Sequence, residues 1–180
     1  MSSPRLSPLS FVILTLVGDV GAGAHDIALS MQRGRLYWTA APSQYYAEAK
    51  RLATLGLLDA EQQPGRTGPR THYRMTDAGR DALRTWARTP AQFPKLLQEP
   101  AVRLLATDIV GTGAVLEGLA ALRDDLAALD AELDDAEERA AGLPSRKTAL
   151  RLNHRLSRRL VAAQREWLDE VEAEFGPEAG

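Results

Sequence analysis

Residues 42–76 read PSQYYAEAKRLATLGLLDAEQQPGRTGPRTHYRMT, and this stretch decides the fold. Pro42 and Ser43 open a helix, because a first turn has no partner for the N–H that proline lacks. The helix runs to about Leu55, and Gly56 suits the cap after a last turn. Tyr45, Ala49, Leu52 and Leu55 share one face of it, and Gln44, Tyr46, Ala47, Lys50, Arg51 and Thr54 are left to the other sides. Leu57–Glu61 and 72–76 are strand candidates. Between them, 62–71 contains Pro64, Gly65, Gly68 and Pro69, a turn-rich loop. The spacing predicts a β-hairpin whose long tip carries Arg66 and Arg70 and no acid.

Upstream, Pro8–Val17 reads as a first helix, apolar nearly all round and so expected to be buried on more than one side. Residues 18–23 break it. Ala24–Leu36 reads as a second helix with Ile27, Leu29, Met31 and Leu36 as its apolar positions. Downstream, Asp77 opens a fourth helix to about Thr89, with Ala78, Leu83 and Trp86 expected inward. Three helices and a basic hairpin within residues 1–90 outline a winged helix-turn-helix. The major groove of DNA accepts one α-helix, here the third, and hairpin arginines reach phosphates or the minor groove. The expected DNA contacts are Ser43, Gln44, Tyr46, Ala47, Lys50, Arg51, Arg66, Thr67, Arg70 and His72. Gln44 sits near the helix N-terminus, where base edges are read, and has the chemistry to pair with adenine. For Lys50 and Arg51, phosphate is the ordinary target. A solvated mixed-polar helix face is the duller reading of the same residues.

The back half differs. Residues 91–100 read as a linker, and 101–176 as a helical dimerisation domain. Ala101–Val110 is a short helix, ended by Gly111-Thr-Gly113. Then Val115, Leu119, Leu122, Leu126, Leu129, Leu133, Ala136 and Ala140 follow a strict heptad alternation of four and three, a seam that must face another helix. After Gly142-Leu-Pro144, a last helix to Phe175 carries Leu152, Leu156, Leu160, Ala163, Trp167, Val171 and Phe175 at helical spacing. Its segment 146–165 holds seven basic residues and no acid, whereas 117–139 holds nine acids and two bases. Antiparallel packing would set opposite charges along each other's flanks, which explains the basic run without DNA. The expected class is therefore mainly α with a small β-hairpin. A homodimer is expected from the seam and from the first helix, with Leu9, Val12, Ile13, Leu16, Leu119, Leu122, Leu126, Leu129, Leu156, Leu160 and Trp167 as contacts.

Charge supports the division. The net charge of -2 hides 12 Lys+Arg against 7 Asp+Glu in residues 1–95 and 10 against 17 thereafter. A DNA footprint is a local patch, so the first balance is the relevant one. With 44% hydrophobic and 26% charged residues the chain is composed as a soluble globular protein. It has no cysteine, which excludes a disulfide scaffold, a cysteine zinc site and a thiol nucleophile, and suits a reducing cytoplasm. Arg5, the apolar run Leu9–Val17 and the small residues Ala22-Gly-Ala24 make a weak secretory-leader pattern, but the run reads equally well as a buried helix. It is too short to span a membrane. His25, His72 and His154 lack metal-type spacing. No phosphate loop, nucleophile elbow or His-Glu-x-x-His is present, so neither an enzyme nor a cofactor is expected.

Pro42-Ser-Gln-Tyr-Tyr46, Lys50-Arg-Leu52, Leu55-Gly-Leu-Leu58, Tyr73-Arg-Met-Thr76, Gly79-Arg80 and Leu83–Trp86, in that order and spacing, resemble the PadR family of transcription regulators. Tyr46 falls where that family carries its characteristic tyrosine. At His25-Asp-Ile27 the sequence departs from the family's His-Gly-Tyr. The resemblance covers about Leu6–Arg88, with weaker similarity behind it. It implies a dimeric DNA-binding regulator, ordinarily a repressor, and a small aromatic or lipophilic effector. Trp38, Trp86 and Trp167 are the candidate effector residues, although aromatics at helical spacing are more often core. The alternative is an interaction or scaffold protein whose winged helix binds a protein partner.

Overall fold

A computed structural model of the chain describes residues 5–35, 37–38, 40–65, 68–94 and 97–176. It divides into two compact units, Met1–Phe93 and Pro94–Gly180. The first contains α1 (Pro8–Val17), β1 (Ala22–Gly23), α2 (Ala24–Arg33), α3 (Pro42–Thr54), β2 (Leu58–Gln63), β3 (Arg70–Met75) and α4 (Asp77–Ala87). The second contains α5 (Glu99–Leu104), α6 (Thr107–Val110), α7 (Thr112–Ala140) and α8 (Lys147–Phe175).

In the first unit, α1 begins where a capping box satisfies its first turn. Ser10 N donates to Ser7 Oγ at 3.3 Å, and Ser7 N donates to Ser10 Oγ at 2.9 Å. Ile13, Leu14 and Val17 of α1 are fully buried against Ile27, Ala49, Leu52, Leu57, Leu58 and Tyr73. Burial raises the Tyr73 phenol above its ordinary pKa, because the phenolate would lose its hydration. The expected hairpin is part of a three-stranded antiparallel sheet in the order β1-β3-β2, with Ala22 opposite Tyr73 and Ala60 opposite Tyr73 on the other side. The strands run further toward the tip than the sequence suggested, from Leu58–Met75 pairing to Gln63–Arg70 pairing. The tip is correspondingly short.

Two glycines are required by close approach. A Cβ on Gly79 would lie 2.1 Å from the Leu57 carbonyl oxygen. One on Gly21, which has φ +83, would lie 2.5 Å from His72 Nε2 and 2.7 Å from the Tyr73 carbonyl oxygen. Gly79 lets α4 dock on the base of the wing, and Thr76 fixes its start. Thr76 Oγ1 accepts from Gly79 N at 3.1 Å and donates to the Gly56 carbonyl at 2.8 Å. Ala78, expected inward, is exposed, and the buried position is its neighbour Gly79. Trp86 is also more exposed than expected, 42%, and stacks on Phe11 with ring centroids 4.9 Å apart.

In the second unit, α7 and α8 pack along their lengths, while the single short helix expected at 101–110 is two, α5 and α6. The heptad seam of α7 is buried at Val115, Leu119, Leu126, Leu129, Leu133 and Ala140. Its partner is α8 of the same chain. The face that α8 presents is not the leucine stripe expected: it buries His154, Ser157, Val161, Leu168 and Val171, leaving Leu152, Leu156 and Leu160 54%, 55% and 45% exposed. This rotation places Arg158 beside Asp130, Asp134 and Glu137, and Arg165 beside Asp130. Near the other end Arg123 of α7 bonds Asp169 and Glu172, both at 2.6 Å. The opposite-charge flanks read from the sequence are thus paired across the hairpin, and Arg158 holds the Glu137 carboxyl below its ordinary pKa. No helix among the described residues is long and apolar enough to cross a membrane.

Candidate nucleic-acid interface

The inward face of α3 is fixed by Tyr45, Ala49 and Leu52, each 3% exposed or less. Tyr45 is held further by its hydroxyl, which accepts from Ala40 N at 2.8 Å. The opposite face then presents Ser43, Tyr46, Ala47 and Lys50, all exposed, at steps of three, one and three residues. They form one stripe along the helix. Thr54 extends it by a further turn, though its hydroxyl donates back to the Lys50 carbonyl at 3.1 Å.

Beside the stripe lies an open groove of about 410 Å³. Tyr46 forms one wall, Ala24, His25 and Asp26 at the start of α2 another, and Gly65, Gly68, Pro69, Arg70 and Thr71 of the wing the third. The β1–β3 pairing brings these walls together, because it ties the residues just before α2 to the central strand of the wing. His25 and Asp26 were not expected here. The signal available was their place in the His25-Asp-Ile27 segment, where the sequence departs from the resemblance. An aspartate in such a groove repels phosphate and is suited to accepting from a base amino group.

Three expected contacts are placed differently. Gln44 is exposed, but its Oε1 accepts from Ala41 N at 3.0 Å, so the amide oxygen caps α3 and only its Nε2 end is open for reading a base. His72 is half-buried on the central strand, its imidazole lying over Gly21. Arg51 points along the flank of α3 toward α1. Its Nε donates to Glu48 Oε2 at 2.8 Å, and its Nη2 to Glu48 Oε1 at 2.7 Å and to Ser10 Oγ at 3.1 Å. The paired guanidinium holds the Glu48 carboxyl below its ordinary pKa. Arg70 is exposed, and neither it nor Lys50 has an ion-pair partner among the described residues. Arg66 and Thr67 lie outside the described residues.

The expected dimer contacts also divide. Ile13, Leu119, Leu126 and Leu129 are at most 7% exposed within the chain's own cores and offer no surface to a second copy. The inference from heptad seam to dimer is therefore corrected: the seam is filled from within. Leu9, Val12, Leu16, Leu122 and Trp167 are half-buried, and Leu156 and Leu160 are exposed. Of the candidate effector tryptophans, Trp38 packs by Ala28, Met31 and Tyr45, and Trp86 on Phe11, in the first unit; Trp167 packs by Val115, Leu119, Leu168 and Val171 in the second. Among the described residues no cluster of three metal-ligating side chains occurs.

With this geometry in view, the chain was compared with known proteins. No family model and no curated protein matches it. Solved structures do. The virulence activator AphA of Vibrio cholerae superposes with a TM-score of 0.72 at 27% identity, over 95% of this chain and 99% of that one. PadR of Bacillus subtilis, in complex with operator DNA, gives 0.70 at 18%, over 96% and 98%. The fold of the chain is thus similar to that of PadR. The same PadR in complex with p-coumaric acid gives a TM-score of 0.59 at 18% identity, over 91% and 98%. The PadR-like architecture thus extends through both units, where the sequence resemblance was confined mostly to the first.

Proposed function

We propose that this chain is a sequence-specific double-stranded-DNA-binding transcription regulator that works as a homodimer. The observation that carries the reading is the stripe Ser43-Tyr46-Ala47-Lys50 standing free beside the wing groove. A helix face of that width enters a major groove, and the wing residue Arg70 is placed to neutralise phosphate. The PadR structure with operator DNA supports the same use of this fold.

The dimer reading rests on α8. Leu152, Leu156 and Leu160 form an apolar stripe that no element of the second unit covers, and burial of such a stripe is favourable by roughly 25 cal/mol per Å² of apolar surface. Two copies related by a two-fold axis carry two reading helices, which suits half-sites about 34–36 Å apart. Repression follows most simply, by excluding polymerase from an overlapping promoter. AphA is named an activator, so a reporter assay decides the sign. A small aromatic acid as effector is part of the reading, supported by the PadR complex with p-coumaric acid. Thermal-shift titration with p-coumaric acid and related acids tests it.

The deciding experiment is selection of duplexes from a random pool by the purified chain, followed by gel shift on its own upstream region. A pseudo-palindromic site with two separated half-sites is expected. Equal binding of selected and random duplexes at moderate salt would sink the DNA reading.

A further inference from the structure

A lysine and an arginine adjacent in a recognition helix are ordinarily both counted as phosphate contacts. Here they have different surroundings. Lys50 stands on the exposed stripe, whereas Arg51 is turned about 100° around the helix, toward α1. The Glu48 side chain that receives it is only 12% exposed, and Ser10, behind both, is fully buried. The hydrogen bonds of this cluster close. Ser10 Oγ donates its one proton to Glu48 Oε1 and accepts from Ser7 N at 2.9 Å and Arg51 Nη2 at 3.1 Å, with Ser7 Oγ a further neighbour at 3.2 Å. A serine hydroxyl has one proton and two lone pairs, so nothing is left over. Glu48 takes a bidentate guanidinium, the geometry in which arginine is held most firmly.

We propose that Ser10, Glu48 and Arg51 form a strut between α1 and α3 that withdraws Arg51 from DNA and sets the angle at which the reading stripe is presented. Arg51 is then a positioning residue, and Glu48 is a specificity residue. By occupying a guanidinium that would otherwise seek any phosphate, Glu48 removes a contact that carries no sequence information. The strut also gives α1 a mechanical grip on the reading helix, since Ser10 is the first buried residue of α1, on the same face as Ile13, Leu14 and Val17. The part of this proposal that concerns DNA rests on the regulator reading above, and the part that concerns the strut does not.

The test has two arms on the full chain. In the first, ¹⁵N NMR follows the Arg51 Nε–H in the free protein. Slow solvent exchange is expected, lost in Glu48→Gln; exchange as fast as that of exposed arginines overturns the strut. In the second, the slope of log affinity against log salt is measured on a labelled random-sequence duplex. Lys50→Ala should lower the slope by about 0.9, the amount released per phosphate neutralised, and Arg51→Ala should leave it within experimental error. Glu48→Gln should raise it by about 0.9 and tighten binding to random DNA, and Glu48→Gln with Arg51→Ala should return it to the parental value. A general loss of structure does not steepen a salt slope and then restore it. If Glu48→Gln does not fold, Arg51→Ala against Lys50→Ala still decides. A fall in slope for Arg51→Ala equal to that for Lys50→Ala overturns the withdrawal of Arg51. If the parental chain binds no duplex while the first arm succeeds, the regulator reading fails and the strut stands.

Discussion

The two units bury their apolar surface in opposite ways. In the first, α1, α2, α3 and the sheet close around one aliphatic cluster, and the polar group at its edge, Ser10, is fully bonded. In the second, two long helices meet along a single seam. One buried polar atom there, His154 Nδ1, has no hydrogen-bond partner, and three leucines of α8 face outward. The contrast teaches that the first unit is finished as folded, while the second is organised around a surface it does not cover itself. A two-helix seam is too thin to bury two faces of one helix, so α8 spends its polar-edged face on α7 and keeps its leucines for elsewhere.

The comparison breaks most visibly in the closed core. Leu14→Ala removes a side chain with no exposure and should cost about 2–5 kcal/mol in urea unfolding of the first unit. A loss under about 1 kcal/mol would mean the cluster is not the tight core described. Next comes the open face of α8. Leu156→Ala with Leu160→Ala should weaken self-association by roughly tenfold per side chain in sedimentation equilibrium, since interface anchors cost over about 1 kcal/mol each. Helicity should be unchanged, and unaltered association would move the dimer contact off this stripe. Gly79→Ala should cost about 1–3 kcal/mol, toward the upper end because the new methyl meets backbone at Leu57. An unchanged melting temperature would show that α4 does not press on the wing base. His154→Leu should stabilise the second unit by roughly 1 kcal/mol, as a buried orphan nitrogen is replaced by an apolar group of similar size. A destabilised variant would show that the nitrogen has a partner after all. The smallest change is expected from Arg123→Ala, whose ion pairs are solvent-exposed and screened by salt. Its melting temperature should fall least of the set, and the difference from the parent should vanish at high salt.

Much of this was legible in the sequence where periodicity and punctuation coincide. The limits of α1 follow from Pro8 and Gly18, and those of α3 from Pro42 and Gly56. β1 was not legible, because two residues have no period; the strand exists only where the edge of β3 is there to pair with it. In Ala22-Gly-Ala24, which resembles a leader cleavage site, Ala22 and Gly23 pair with β3, and a Cβ on Gly23 would lie 2.8 Å from Asp26 Oδ2. The inward face of α8 could not be read either. Two stripes of the helix have proper spacing, and hydrophobicity favours the leucines; the register of Arg158 and Arg165 with the acids of α7 goes with the other. At the candidate site, the stripe of α3 was readable from helical spacing alone. The fate of Arg51 was not, because its second partner, Ser10, lies 41 residues away in the chain.

The free stripe of α3 also sets a limit on information. From Ser43 to Lys50 it extends about 10 Å along the helix, which matches roughly three base pairs at 3.4 Å each. One copy reading three positions distinguishes about 64 words, and two copies about 4,000, against the 10⁶ or more competing sites of a genome. An address book that short cannot be used alone. In the proposed dimer, the remaining discrimination would come from the stiffness and groove width of the DNA between the half-sites, where the spelling matters through shape at positions the protein never touches.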